Sequence, residues 1–397
     1  MSDNIILYGD GVHDDTLAIQ SMIDSGVCEV SLPAPKSFYL ISKALELPSD
    51  FKLKLPRYAV IKLADNSNCF MLKNKTPFKF VFQTPGGKGA TGNAFEIPGK
   101  DKAYFIDNPL SENIDVEGGI WDFNNIGQHP NPQQFPCDID GYSGYCMLFF
   151  GCRNIRFSNL TIKNPANFGI TIDTVSYFKF ENITFDYNRG NPKLINMDGI
   201  HVNGNCHHGV MRNLYGTCYD DLVALNADEG SDGDITDVLI DGIFSENCHS
   251  AVRLLCRHRL VDRIHITNVF GTFYQYCIGI TKFYSKVVQT GHFDTITLDN
   301  LYVSKAFRPD DYPWPDSYVY PVIFVEKGVR VKNLTVRSLH RREKTTPVET
   351  ILVAEDATVD NLLLDDISVE SGLEEKVSAY INKGTVKNCI LTNVREK

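Results

Sequence analysis

Three aspartates and a histidine are the residues of this sequence best placed to do chemistry. The phrase Asn196-Met197-Asp198-Gly199-Ile200-His201-Val202 is followed by Tyr219-Asp220-Asp221-Leu222-Val223-Ala224-Leu225-Asn226. A third phrase, Asn247-Cys248-His249-Ser250-Ala251-Val252-Arg253-Leu254, comes next. Grouped carboxylates perturb one another. One that is close to like charge stays protonated near neutrality and serves as a general acid, while an ionised neighbour serves as a base. Cleavage of a glycosidic bond needs that division of labour. A single Asp of this kind satisfies a turn; three at this spacing, with an imidazole following, point to a site.

Positioning them requires a repeating scaffold. A pattern apolar-x-apolar-x-(Asn/Asp/Gly)-apolar-x-apolar recurs around Asn159, Asn182, Asn213, Gly242, Asn268, Asn300, Asn333, Asp366 and Asn393, with an early copy at Gly118. The steps from Asn159 onward are 23, 31, 29, 26, 32, 33, 33 and 27 residues. Short alternating strands at this loose period predict an all-β parallel solenoid, because one coil cannot bury its inward face without neighbours. A β-sandwich, with turns every 8–12 residues, fits the period poorly. About ten coils at ~4.8 Å would give a rod about 50 Å long. The repeated Asn suits a bend, bonding nearby backbone or tolerating left-handed geometry.

Asp198 and Asp220 are 22 residues apart, about one coil. Strict alternation with Ile200, Val202, Val223 and Leu225 inward would bury Asp198 and Asp221 in the tube, at high cost. A turn or bulge before each strand, carrying the carboxylates to the rim, avoids that cost. Registering Val252 on Val223 sets His249 beside Asp220 and Arg253 above Ala224, with His201 one coil below. The expected site is an outward strip of Asp220, His249, Arg253 and His201, flanked by Asp198 and Asp221.

Gly9-Asp10-Gly11-Val12-His13-Asp14-Asp15-Thr16 leads into apolar residues at helical spacing (Ile19, Met22, Ile23). A short helix over this stretch, N-capped by Asp14 or Asp15, would close the open end of the tube, with residues 1–30 as the cap region. Two Pro- and aromatic-rich stretches, 121–150 and 305–321, interrupt the rhythm and read as loop insertions walling a binding face. Their Tyr142, Tyr145, Tyr312, Trp314 and Tyr318 either stack on sugar faces or pack within the loops. The acidic run Asp228, Glu229, Asp232 and Asp234 could bind Ca²⁺, but its spacing matches no defined Ca²⁺ loop and it reads as a solvated insertion. Arg257-His258-Arg259 reads equally as surface charge or as a contact for an anionic sugar. His207-His208 has no partners at metal-ligand spacing, and no metal or other cofactor is expected.

The chain has 397 residues with 39 Lys+Arg and 49 Asp+Glu, hence a net charge of −10. Its 43% apolar and 22% charged residues are those of a folded globular chain, here read as one domain over 1–397. A pI near 5.5 argues against nucleic-acid binding. No apolar run approaches membrane-spanning length, so no membrane association is expected. The first residues lack a basic and apolar leader, and the 11 cysteines include no C-x-x-C pair. Buried reduced thiols and a cytoplasmic location are the expectation.

The string Gly-Asp-Gly-x-x-Asp-Asp-Thr-x-Ala-Ile-Gln resembles the N-terminal cap signature of the pectate-lyase-like superfamily of right-handed β-helices. Asn196-Met197-Asp198-Gly199, Asp220-Asp221 with Leu-Val-Ala-Leu-Asn after it, and His249 one coil on resemble the polygalacturonase family, glycoside hydrolase family 28. The resemblance implies a general acid at Asp220, water held by Asp198 and Asp221 for inverting hydrolysis, and His249 tuning the acid. Departures are plain. The family's Gly-His-Gly is Cys248-His249-Ser250, and its uronate-gripping Arg-Ile-Lys falls on Gly279-Ile280-Thr281, with Lys282 beside it. His201, Asn226, Arg253 and Lys282 are the candidate substrate contacts. The expected partner is a carbohydrate, pectin-derived or similarly acidic. A Ca²⁺-dependent lyase and a non-catalytic tailspike-like or carbohydrate-binding β-helix are the alternatives.

Overall fold

The computed structural model describes residues 6–81, 94–96, 101–282, 289–313 and 320–397. Short strands wind into a right-handed solenoid in which each coil pairs in parallel with its neighbours. One column passes through eleven coils in unbroken register: Leu45, Leu72, Met147, Ile170, Ile200, Val223, Val252, Ile278, Ile323, Ile351 and Tyr380. At ~4.8 Å per coil this column is about 50 Å long. Its side chains point into the tube, and the apolar core they join runs from Ile19 to Ala379. The helix Thr16–Ile23 covers the N-terminal opening with Ile19 and Ile23 buried.

Asp15 occupies the N-cap position, but its carboxylate takes the N–H groups of Tyr8 and Gly9 instead of helix amides. Asp14 supplies the bond to the helix, accepting from the Thr16 N–H at 2.8 Å.

One bend per coil explains the recurring Asn. Gly118, Asn159, Asn182, Asn213, Gly242, Asn268, Asn300, Ser338, Asp366 and Asn393 all have φ between 48° and 92°. Asn tolerates that region better than other side chains do. The amides also bond one another: Asn182 donates to Asn159 and Asn213 donates to Asn182, each at 3.0 Å. Asn333 is not in this column. Arg337 pairs with Asp299 and Leu339 with Leu301, so Ser338 stacks on Asn300, while Asn333 lies opposite Thr295. The long connection after Lys305 lengthens that coil, and Asn333-Leu334-Thr335-Val336 imitates the pattern one bend early.

The first insertion is tighter than the sequence suggests. Trp121 lies in the strand Ile120–Asp122 and Phe149 and Phe150 in Met147–Ser158, so the first excursion covers 123–146. The second connects Gly291–Lys305 to Ile323–Val325. Trp314 and Tyr318 lie outside the described residues. Seven of the 11 cysteines are buried, and all are free thiols. Among the described residues no helix is long and apolar enough to cross a membrane.

Candidate active site

Four consecutive strands, Ile200–Val202, Asp221–Asn226, Ser250–Leu255 and Ile278–Thr281, build the platform. Their outward column is His201, Ala224, Arg253 and Gly279. The acids enter where the chain turns into these strands. His249 Nδ1 lies 3.4 Å from Asp220 Oδ1 and 2.8 Å from the Ser250 hydroxyl. Asp198 Oδ1 accepts the Asp221 backbone N–H at 2.9 Å, and its Oδ2 meets His201 Nδ1 at 2.7 Å. Asp221 Oδ2 is 3.0 Å from Arg253 Nε. That contact is an ion pair without good hydrogen-bond alignment, so both Asp221 oxygens keep lone pairs open.

Both Asp198 and Asp221 therefore meet outward-facing partners, as desolvation cost demands. They do not, however, reach an exposed rim. Asp198 and Asp221 are 0% exposed, His201 2%, His249 4% and Asp220 8%. Aromatic side chains cover them. Phe168 stacks on His201 at 3.9 Å between ring centres, and Tyr145 of the first insertion stacks on Phe168 at 4.7 Å. Tyr274 and Tyr312, the latter from the second insertion, pack on His249. Arg189 clasps Asp311 through two bonds and pins that insertion across the face.

Burial separates the protonation states. It raises the Asp220 carboxyl well above the ordinary range, helped by the Asp221 and Asp198 charges and opposed by Arg253. Burial also lifts Asp221, but the Arg253 guanidinium beside it limits the rise to about 6. His249 is held well below its ordinary value by burial and by the Arg253 and Lys305 charges. Both shifts favour the neutral forms of Asp220 and His249 across their 3.4 Å contact. His201 behaves oppositely. Burial disfavours its charge, but Asp198 and Glu229, the latter 3.1 Å from Nε2, push it up to about 9.

Several expected contacts fall elsewhere. The Lys282 ammonium bonds the Gln289 carbonyl at 3.3 Å and its backbone N–H bonds Glu326, past the end of its strand. Asn226 is fully buried and holds Glu229 at 2.9 Å, which makes it a support, not a substrate contact. The acidic run is not a solvated loop. Asp228 takes the His258 imidazole at 2.9 Å, Arg259 forks onto Asp232, and the Leu260 N–H bonds Asp234. Acidic loop and basic cluster neutralise each other across one coil. Tyr142 and Tyr145 are buried, packing within the loops.

Sequence reasoning assigned Glu229 to a solvated insertion and missed Phe168, Tyr274, Tyr276 and Lys305. Only Glu229 left a signal, three residues after Asn226 at a turn. Lys305 anchors the wall: its ammonium bonds the carbonyls of Tyr274 and Gln275 on one coil and Tyr320 at the end of the second insertion. Among the described residues two groups have metal-ligand spacing, Asp220–Asp221–His249 and Asp228–Asp232–His258, with donor atoms within 4.8 Å. Arg253 beside the first, and Arg257 and Arg259 on the second, oppose a cation at either place.

No family model matches the chain, and no curated protein matches it in sequence. Solved structures do. The family 28 exopolygalacturonase of Yersinia enterocolitica aligns over 97% of this chain and 77% of its own, at 16% identity and TM-score 0.55. PfbA, a surface adhesin of Streptococcus pneumoniae, aligns over 97% and 90%, at 14% identity and TM-score 0.56. The tailspike of Escherichia coli bacteriophage HK620, solved with a pentasaccharide, aligns over 98% of this chain at 13% identity and TM-score 0.63. The chain spans 63% of that tailspike's length. The chain thus has a right-handed parallel β-helix fold. At these identities the likeness is one of fold.

Proposed function

We propose that this chain is a glycoside hydrolase acting on an oligosaccharide, with Asp220 as general acid and Asp221 as its basic partner. One observation carries the reading. Asp220 and Asp221 have carboxylate oxygens within 4.8 Å, yet burial and like charge keep the first protonated while Arg253 lets the second ionise at about 6. An acid and a base side by side near neutrality is the pairing that glycoside cleavage uses. Asp220 donates its proton to the leaving oxygen. Asp221, with lone pairs open, takes a proton from water as that water attacks the anomeric carbon. Asp198, with both oxygens engaged, fixes the Asp221 backbone and the His201 ring.

The resemblance to family 28 favours inversion. The closeness of the two carboxyls raises a second reading. Inverting pairs stand roughly 6.5–9.5 Å apart and retaining pairs about 5–5.5 Å. In a retaining arrangement Asp221 would attack directly and form a glycosyl-enzyme. Proton NMR of the first-formed product separates them: an inverted anomer supports Asp221 as base, a retained one supports Asp221 as nucleophile. Reducing-end release from defined oligosaccharides tests hydrolysis itself. An unsaturated, ultraviolet-absorbing product would point to a lyase instead.

A further inference from the structure

We infer that the glycosyl unit held at this site is uncharged: the site accepts a neutral sugar and rejects a uronate. The inference rests on the hydrolase reading and specifies its substrate class. Recognition of a carboxylate needs an available cation, and the cations around these acids are committed. Arg253 lies 3.0 Å from Asp221. His201 is wedged between Asp198 at 2.7 Å and Glu229 at 3.1 Å. Lys305 is sunk among three backbone carbonyls. Arg189, at the mouth, is clasped by Asp311, and Lys282 is turned onto Gln289.

The position stacked on Arg253 is Gly279. The Tyr276 ring fills the space above it, so that even a Cβ there would come within 2.6 Å of two ring carbons. An aromatic ring has replaced any side chain at that place.

Charge balance points the same way. Among the described residues, Asp198, Asp220, Asp221 and Glu229 face Arg253 and His201 as cations, so a negative charge remains even with Asp220 protonated. A substrate carboxylate about 5 Å from one uncompensated charge, at an effective dielectric near 20, is disfavoured by roughly a few hundredfold. The walls suit a neutral ring. Phe168, Tyr274, Tyr276 and Tyr312 make the surroundings of these acids aromatic and uncharged. Among the described residues the Tyr274 hydroxyl, Gln275 Oε1 and Thr171 hydroxyl are buried without a hydrogen-bond partner. Sugar hydroxyls would supply their missing bonds.

The test is a glycan array carrying neutral and uronate-containing oligosaccharides, probed with the labelled wild-type chain and with Asp220→Asn. In parallel, the wild-type chain is incubated with the same glycans and its products are identified by mass spectrometry. Binding at least tenfold tighter to neutral termini, with new reducing ends on neutral units, is the expected result. Tighter binding or cleavage at uronates overturns the inference and leaves the hydrolase reading intact. Neutral glycans bound by the wild-type chain but never cleaved uphold the neutral-sugar site and remove the hydrolase. Binding to no glycan overturns the inference.

Discussion

Asp221 on one coil and Arg253 on the next meet at 3.0 Å, with side-chain exposures of 0% and 13%. The guanidinium counters the burial that would otherwise keep the carboxyl protonated. In Arg253→Gln, Asp221 holds its proton to higher pH, and the acid limb of kcat/KM, expected near 6, moves up by about one unit or more. The stability sign follows. Asp221's folded value is raised above its ordinary 3.8, so its contribution is present below about 3.8 and is lost as pH rises through about 6. A pH–rate profile of both proteins checks the shift; an unmoved acid limb contradicts the assignment.

Glu229 completes a clamp around His201 that Asp198 begins. Glu229→Gln removes one of the two charges holding the imidazolium, so the His201 value falls below about 9. Titration of the ring by NMR reads this without any substrate. Turnover should fall by about tenfold or less, since Glu229 acts through His201 and not on the reacting atoms.

Arg341 and Glu343 form a fully buried pair, both side chains 0% exposed, at 2.6 Å. Glu343 also accepts the N–H groups of residues 344–346, and Arg341 reaches the Thr346 and Val348 carbonyls. Arg341→Met strands a carboxylate and should cost about 3–5 kcal/mol. The double variant Arg341→Met/Glu343→Leu should recover part of that loss in a denaturant titration.

At Asn182, φ is 56° and the amide both donates to and accepts from its neighbours in the column. Asn182→Ala loses those bonds and carries a Cβ in the left-handed region, for a total of about 2–3 kcal/mol. Asn182→Gly loses only the bonds and should be less damaging. Denaturation midpoints in the order Asn, Gly, Ala are the expected outcome.

The architecture was legible because the coil period and the parity of Ile200, Val223 and Val252 are local. The same parity gave the outward column of His201, Ala224 and Arg253. What stayed hidden depends on distant segments. Tyr145 and Tyr312 come from the two insertions, and nothing near Asp220 announces the closure they impose. Lys282 follows its own strand correctly in sequence but is drawn away by Gln289. Asn333 has the right neighbours and the wrong position, because the length of the preceding connection is not encoded in the repeat.

The central claim is that Asp220 is a proton donor in a sugar-cleaving site. It is tested most directly by comparing the wild-type chain and Asp220→Asn for reducing-end release and for binding to the same oligosaccharide. The account predicts turnover reduced by about 10²–10⁴-fold with binding retained. Equal turnover in the two proteins, or ligand binding by a wild-type chain that never cleaves, would contradict it.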